Sequence, residues 1–207
     1  LNGEIGKELL LAGEEFWLRG LTYYDAGKRS FYTKNYPIEA PADLQGLKIR
    51  VMESQMSVNM VREMGGSPTP ISFGELYTAL QQGVVDGAEN NPPSYLTSRH
   101  YEVAKFYSID EHTMLPDMLI ISTLQWERLN EKEQGWIQAA ADSSARYQRQ
   151  IWKLAEQEAL ASVAAAGAEI LYPNKQAFKD ATKGLYEEYR ESDPRLYSLI
   201  QRILEAR

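Results

Sequence analysis

The clearest pattern of polar and apolar positions lies between Gly46 and Asn91. Leu47 to Val51 alternates apolar and basic residues with a period of two, which is typical of a strand. Two helical patterns follow, over Met52 to Met64 and over Phe73 to Gln82, and a glycine comes directly after each. The stretch therefore predicts a strand followed by two helices, with short connections between them.

Two further extended segments complete this pattern. Ser67 to Pro70 contains two prolines, and each proline disfavours helical geometry in the residue before it. Val84 and Val85 begin a third short strand, which we expect to run to Asn90. Alternation of strands and helices predicts a parallel βαβαβ unit, and such units bind ligands outside the carboxyl ends of their strands. Arg50 and Asn90 lie at two of these ends.

The rest of the chain predicts helices and strands in an order without internal repeats. Polar Asp110, Glu111 and His112 are expected to lie in a loop. The predicted elements are a helix over Asn2 to Arg19, strands over Leu21 to Tyr24 and Gly27 to Thr33, a helix near Ser94 to Ser98, a strand over Met114 to Thr123 that crosses back through the sheet, a long helix over Glu131 to Ala166, a last strand over Ala168 to Leu171, and closing helices over Asn174 to Arg190 and Pro194 to Arg207.

Composition excludes several classes of function. The 207 residues carry 22 basic and 29 acidic side chains, for a net charge of -7, which argues against a nucleic-acid surface. There is no cysteine, so disulfides and thiolate chemistry are excluded, while the compartment stays open. No apolar run is long enough to span a membrane.

The chain offers little for catalysis. His100 and His112 are its only histidines, and it contains neither a nucleophile-elbow pattern nor a glycine-rich phosphate loop. The best acid and base cluster is the run from Asp110 to His112, and three adjacent loop residues do not converge on one point. We predict that the protein is not an enzyme and that it uses neither a metal nor a cofactor.

Several motifs in the same order resemble the solute-binding receptors of tripartite ATP-independent periplasmic (TRAP) transporters. They are GLKIRV from Gly46, GSPTP from Gly66 and ELYTALQQGVVDGAEN from Glu75, and the resemblance continues through Tyr101 and His112 into the helical C-terminal part. It implies an α/β, two-lobed periplasmic-binding-protein-like fold with mostly parallel sheets and a long C-terminal bracing helix. It also implies a periplasmic receptor that closes its lobes around a small organic acid and delivers it to a TRAP membrane permease.

Members of this family are longer than the present chain. They begin with a secretory signal and a first lobe, to which nothing here corresponds. The resemblance divides the chain into a remainder of the first lobe at 1-40, a second lobe at 41-123, and bracing and closing helices at 124-207. A fragment of this kind exposes apolar surface, so we expect marginal stability or association.

Arg50 is the strongest candidate for ligand binding. A guanidinium at a strand end can bind a carboxylate through two parallel hydrogen bonds, which lysine cannot do. The alternative from the residues alone is a salt bridge to a helix carboxylate. The resemblance implies that Arg50 clamps the ligand carboxylate. Asn90 offers amide donors and an acceptor for a second ligand oxygen, and its alternative role is turn formation.

The other candidates carry roles that the resemblance implies. Phe73 would press against the ligand, the alternative being a core phenylalanine. Arg29 would approach the ligand, the alternative being a surface cation on a strand edge. Glu89 and His112 would form a polar network near the hinge that supports the conformation.

The ligand is inferred from the segment after Asn90. The run AENNPPSY has an additional asparagine, Asn91, and is more similar to receptors for sugar acids such as glucuronate or galacturonate. The extra amide suits a hydroxyl-rich ligand, whereas a four-carbon dicarboxylate would need a second cation, for which Arg29 is available. We predict a hexuronate. The alternatives are a dicarboxylate or another sugar acid, a stand-alone ligand-sensing domain, and a protein whose binding function has been lost.

Overall fold

The computed structural model describes residues 3–206, and their contacts divide the chain into two compact units. The first unit contains the chain up to Gly27, Leu115–Leu154 and the residues from Arg202 onward. The second unit contains Lys28–Met114 and Ala155–Gln201. The sequence predicted another division, into three successive parts at 1-40, 41-123 and 124-207. That division stays a prediction.

A six-stranded mixed sheet organises the second unit. Its strands are β2 (Lys28–Thr33), β3 (Lys48–Val51), β4 (Ser67–Pro70), β5 (Gly87–Asn90), β6 (Phe106–Met114) and β8 (Glu169–Leu171). They lie side by side in the order β4-β3-β5-β2-β6-β8. Three of the pairings are parallel, β3 with β4, β3 with β5, and β6 with β8, while β2 is antiparallel to β5 and β6.

Helices connect and cover these strands. Gly83, at φ 74°, ends the helix before β5, and Asn91 caps the helix after it through a bond of 2.8 Å from the Ser94 N–H to Oδ1. The helices of the unit are α2 (Gln55–Glu63), α3 (Leu76–Gln82), α4 (Pro92–Thr97), α7 (Lys175–Ala181) and α8 (Tyr189–Ser192), with 3-10 turns at Pro41–Leu44, Phe73–Glu75, His100–Glu102 and Lys183–Tyr186.

The second unit has a buried apolar cluster around each of two neighbouring residues of β2. Tyr32 belongs to one cluster with Leu76 and Leu80 of α3, and Phe31 belongs to the other with Val61 of α2. Successive residues of a strand point to opposite faces, so the sheet is covered on both sides. Burial on both faces fixes the register of β2, which holds β5 and β6 in place.

The first unit is built on a two-stranded antiparallel sheet, β1 (Leu18–Tyr24) with β7 (Asp117–Ser122). It also contains α1 (Glu4–Leu11), a 3-10 turn at Glu14–Phe16 and α5 (Thr123–Trp126). The longest helix, α6 (Glu131–Ala165), belongs to this unit up to Leu154 and to the second unit from Ala155. The closing helix α9 (Pro194–Glu205) crosses the same division at Arg202.

The predicted βαβαβ unit is confirmed, since β3, α2, β4, α3 and β5 follow one another with parallel pairing. Its third strand begins at Gly87, however, so the prediction that Val84 and Val85 begin it was wrong. The long helix is confirmed as well, and Gly167, at φ 89°, follows it. The predicted α/β fold class is confirmed.

Some element predictions were wrong. The Asp110 to His112 run lies in β6 and not in a loop, and the strand after Met114 pairs with β1 instead of crossing back through the larger sheet. The first helix ends at Leu11, well before Arg19, and the segment after Asn174 is broken into short pieces. Asn2 and Arg207, at the ends of two predicted helices, lie outside the described residues.

Candidate functional site

Arg50 lies near the carboxyl end of β3, between the ends of β4 and β5. Its residue surface is only 3% exposed, and its Nε–H donates to the Ile71 carbonyl at 2.8 Å. Within residues 3–206 it forms no ion pair, and its two terminal nitrogens donate no hydrogen bond. The alternative of a salt bridge to a helix carboxylate is therefore wrong.

Burial lowers the pKa of Arg50, but a guanidinium remains charged at neutral pH. A cation removed from water without a counterion is costly, and an anionic ligand would relieve this cost. The two free nitrogens carry the parallel N–H donors that suit a carboxylate.

Phe73 stands beside this cation. Its ring centre is 5.8 Å from the Arg50 Cζ atom, and its residue surface is 46% exposed. The alternative of a core phenylalanine is therefore wrong. An exposed ring next to a guanidinium offers an apolar face on which the carbon skeleton of an acid can pack.

Arg29, on β2, is buried and not a surface cation, so that alternative is wrong. Its Nε and Nη2 atoms donate to both carboxylate oxygens of Glu89, with Nη2 at 2.8 Å from Oε1. Nη2 also donates to the Glu89 carbonyl at 2.9 Å, and Nη1 donates to Asn90 Oδ1 at 2.9 Å. This cation is thus already neutralised within the protein.

Asn90 ends β5, and its side chain is oriented by two donors. Its Oδ1 accepts from Arg29 and from the N–H of Asn91, each at 2.9 Å, and its carbonyl accepts from the Tyr107 hydroxyl at 2.8 Å. Because the oxygen is engaged, the Nδ2 group is the free end of the amide, and it makes no hydrogen bond to a described residue. Asn90 can therefore donate to a ligand oxygen.

Asn91 is buried and has a structural task, because its Oδ1 caps α4. The predicted contact of Asn91 with ligand hydroxyls stays a prediction.

His112 joins Glu89 to a second carboxylate. Its Nδ1 atom is 2.6 Å from Asp110 Oδ2, its Nε2 atom is 3.6 Å from Glu89 Oε2, and its ring stacks on Phe31 with centres 4.2 Å apart. Burial by itself lowers the pKa of His112, but the two carboxylates more than offset this effect and raise it to about 9. His112 is therefore a cation at neutral pH.

Glu89 is fully buried and lies between the two cations. Burial alone raises the pKa of Glu89, but hydrogen bonding and ion pairing with Arg29 and His112 outweigh burial and lower it. The network thus brings the cations of Arg29 and His112 together with the side-chain carboxyl groups of Glu89 and Asp110. The predicted polar network of Glu89 and His112 exists in the structure, and its role near a hinge stays a prediction.

A bulge in β6 brings Asp110 and His112 into this network. The register of β2 with β6 shifts between Arg29 and Phe31, and Glu111 has a φ of 50°. Asp110 Oδ1 accepts from the Phe31 N–H at 3.0 Å, in place of a strand partner. Bulges of this kind redirect side chains, and the spacing of Asp110 and His112 by two residues was the signal for a strand that sequence reasoning missed.

Sequence reasoning also missed His100 and Tyr32, which are buried next to the site. The Tyr32 hydroxyl and His100 Nδ1 are 2.8 Å apart, and the His100 ring meets the Phe73 ring at 67°, with centres 5.6 Å apart. Burial, followed by the charge of Arg50, lowers the pKa of His100 to about 4, so this histidine is neutral. A tyrosine on a β-rich run was readable from the sequence, but its partner, 68 residues away, was not.

The arrangement is suited to binding an acid. It combines a buried cation that forms no ion pair with any described residue, an amide donor and an exposed aromatic face. Among the described residues, no group of three or more histidine and acidic side chains is placed to hold a metal ion. Nor is any helix of the described part long and apolar enough to cross a membrane.

Comparison with protein families matches residues 1–193 to "Bacterial extracellular solute-binding protein, family 7". A solute-binding protein of Chromohalobacter salexigens is 41% identical over 207 residues, which is 100% of this chain and 62% of that protein. The chain thus spans less than two thirds of that relative's length.

Two solved structures are similar over almost all of the chain. A TRAP periplasmic solute-binding protein from Chromohalobacter salexigens, with bound D-glucuronate, has a TM-score of 0.96 at 40% identity and covers 100% of this chain and 69% of its own. One from Bradyrhizobium, in complex with D-galacturonate, has a TM-score of 0.90 at 46% identity and covers 99% and 68%.

Proposed function

The chain belongs to the bacterial extracellular solute-binding protein family 7, and from this premise we propose that its protein is the extracytoplasmic receptor of a TRAP transporter for a hexuronate. D-glucuronate and D-galacturonate are the first ligands to consider, because two similar structures contain them. The family is one of binding proteins, in agreement with the prediction that the chain is not an enzyme. The receptor would act in the periplasm and deliver its ligand to the membrane permease.

The single observation that supports this proposal most strongly is that Arg50 is buried and has no ion-pair partner in the described part of the chain. Its terminal nitrogens would bind the uronate carboxylate through two parallel hydrogen bonds. Asn90 Nδ2 would donate to a second oxygen of the ligand, and Phe73 would cover an apolar face of the sugar ring. Asn91 is proposed as a further contact for hydroxyl groups.

The state of Arg29 favours a monocarboxylate over a dicarboxylate. Its guanidinium is engaged by both oxygens of Glu89 and by Asn90, so it does not offer a second free cation. A four-carbon dicarboxylate would place its second carboxylate against a neutralised pair. Arg29 would still shape the site, since it orients the Asn90 amide toward a ligand.

Arg29, Glu89 and His112 then serve as support. We propose that this network keeps the ends of β2, β5 and β6 in one arrangement while a ligand enters and leaves. Any movement that follows binding is driven only by interactions that the ligand makes more favourably in the moved state than in the unmoved one.

Ligand screening by thermal shift tests the proposal. The panel contains D-glucuronate, D-galacturonate, an aldonate and a four-carbon dicarboxylate. A ligand at a hundredfold excess over its dissociation constant adds about 2.7 kcal/mol to the free energy of unfolding. We expect stabilisation by the uronates and little or none by the dicarboxylate.

The matched variants identify the anchor. Arg50→Ala is expected to weaken uronate binding by a factor of at least roughly 100, on the scale of a charged hydrogen-bonded pair, and Arg50→Lys to recover only part of it. Arg62→Ala, on the exposed side of α2, removes the same side chain elsewhere and leaves binding unchanged. Stabilisation by the dicarboxylate alone, or equal binding by Arg50→Ala, would contradict the proposal.

A further inference from the structure

His100 is buried at the start of a 3-10 turn, with 1% of its residue surface exposed. It contacts two residues, of which one is fully buried and the other is almost half exposed. On one side its Nδ1 atom meets the hydroxyl of Tyr32, and on the other its ring meets the exposed ring of Phe73.

The Tyr32 side of this contact is rigid. Tyr32 is fully buried on β2, and its ring centre is 4.9 Å from that of Tyr95 and 6.2 Å from that of Tyr107. The hydroxyl of Tyr95 in turn donates to the Ala104 carbonyl, at 2.5 Å. A ring enclosed in this way has one position, so its hydroxyl fixes the orientation of the His100 imidazole.

The Phe73 side is far more exposed. Phe73 begins a short 3-10 turn whose N-cap residue, Ser72, bonds through its hydroxyl to the Glu75 carboxylate at 2.7 Å, and almost half of the Phe73 surface is exposed. Its ring contacts are with His100, at 5.6 Å between centres, and with the Arg50 guanidinium, at 5.8 Å. His100 thus contacts the same ring that lies beside the cation.

We propose that His100 is a positioning residue that holds the Phe73 ring beside Arg50, so that the ring and the guanidinium meet a ligand together. The effect on ligand affinity rests on the proposed function. The effect on the Phe73 ring itself does not depend on it.

The chemistry of histidine fits this role better than that of its nearest substitutes. A phenylalanine would supply the ring but leave the buried Tyr32 hydroxyl without its partner. An asparagine would supply a polar atom close to the place of Nδ1 but no ring to contact Phe73. A lysine or arginine would add a second charge next to Arg50, whereas the buried imidazole is neutral at pH 7.

The test combines a measurement on the free protein with one on binding, both made on the intact gene product. In the free protein, relaxation of the ¹³C-labelled Phe73 ring is measured by NMR for the wild type, His100→Asn and His100→Phe. We expect the ring to gain motion in His100→Asn and to gain less in His100→Phe. Glu102→Gln, on the same turn but bonded to Tyr77, is the control and leaves Phe73 unchanged.

Binding of D-glucuronate is then measured in a double-mutant cycle. His100→Asn is expected to weaken binding about tenfold, the scale of one aromatic contact, when Phe73 is present. In a Phe73→Ala background the same substitution is expected to change affinity by less than about twofold, because it acts through the missing ring.

Unchanged Phe73 relaxation in His100→Asn, or an equal loss of affinity in both backgrounds, would overturn the proposal. If Phe73 gains motion but the intact protein binds no uronate, the positioning role stands and the proposed ligand is wrong. If the protein binds uronate through Arg50 while Phe73 is unaffected by His100→Asn, the proposed ligand stands and the positioning role is wrong.

Discussion

At the scale of single residues, the pairing of charges separates the two buried arginines into different tasks. Arg29 is held by Glu89 and Asn90, while the one hydrogen bond of the Arg50 side chain to a residue between 3 and 206 is to a carbonyl. Both side chains are chemically the same, so their neighbours alone decide that one is part of the scaffold and the other is open to a ligand. Sequence proximity to a motif could not make this distinction.

Glu89→Gln tests the scaffold role. The substitution keeps the shape of the side chain but removes the carboxylate that pairs with Arg29 and lies 3.6 Å from His112 Nε2. Removing one partner of a buried ion pair is expected to lower the free energy of unfolding by about 3 to 5 kcal/mol, measured in urea. Glu158→Gln, at an exposed position of α6, is the control, and a loss below about 1 kcal/mol for Glu89→Gln would contradict the role.

The charge of His112 predicts a dependence of stability on alkaline pH. Its pKa in the folded protein, about 9, lies above its ordinary value of 6.5, so folding is favoured by protonation. This stabilisation is complete below pH 6.5 and is lost as the pH rises through 9, with a total of roughly 3 kcal/mol. Urea unfolding between pH 6.5 and 10 measures it, and His112→Gln is expected to flatten this limb.

His100 gives the opposite limb. Its folded pKa, about 4, lies below the ordinary 6.5, so its stabilisation is complete above pH 6.5 and is lost as the pH falls toward 4. Because the two histidines affect stability in opposite pH ranges, the acid range serves as the control for His112 and the alkaline range as the control for His100. A wild type with equal stability at pH 6.5 and pH 10 would contradict the charge assigned to His112.

At the scale of elements, the close pairing of β5 with β2 positions the site. Gly87 begins β5, and a Cβ atom there would lie 2.5 Å from the Tyr32 carbonyl oxygen and 2.8 Å from Thr33 Cγ2. Only glycine lets the two backbones approach this closely. Since Glu89 and Asn90 follow on the same strand, this approach sets their distance from Arg29.

Gly87→Ala is therefore expected to move β5 away from β2. We expect a loss of about 2 kcal/mol in the free energy of unfolding, typical of an overpacked site, together with weaker uronate binding. Gly135→Ala, in α6, is the control, because nothing lies within 4 Å of a Cβ atom there and its φ is not positive. Normal stability and binding in Gly87→Ala would show that the strands can separate without cost.

At the scale of the whole molecule, the two units differ in how much apolar surface they cover. The second unit has buried clusters on both faces of its sheet. The first unit has a two-stranded sheet, in which Met118 and Ile120 share one face of β7 and are 51% and 49% exposed. A two-stranded sheet of this kind is only marginally stable without further cover.

The isolated 207-residue chain is therefore expected to associate in solution through this face. Sedimentation velocity over a range of concentrations measures the association, and Ile120→Lys is expected to reduce it. Val84→Lys, at an equally exposed position of the second unit, is the control. Strictly monomeric behaviour of the wild-type chain at high concentration would contradict the expectation.

The sequence by itself determined the βαβαβ unit and the places of Arg50 and Asn90 at its strand ends. These features follow from periods of 2 and 3.6 residues and from glycine and proline at the boundaries, which act within a few residues of chain. The same local signals predicted the long helix over Glu131 to Ala166, which the structure has at Glu131–Ala165. They also produced the motifs that pointed to the family.

Only the tertiary structure decided which charges are paired. Arg29 meets Glu89 across 60 residues of sequence, and Tyr32 meets His100 across 68. β6 was missed because its inward positions hold Ser108, Asp110 and His112, polar residues that are buried only because other strands and side chains satisfy them. A local pattern reports the polarity of a residue, whereas its partner depends on the path of the whole chain.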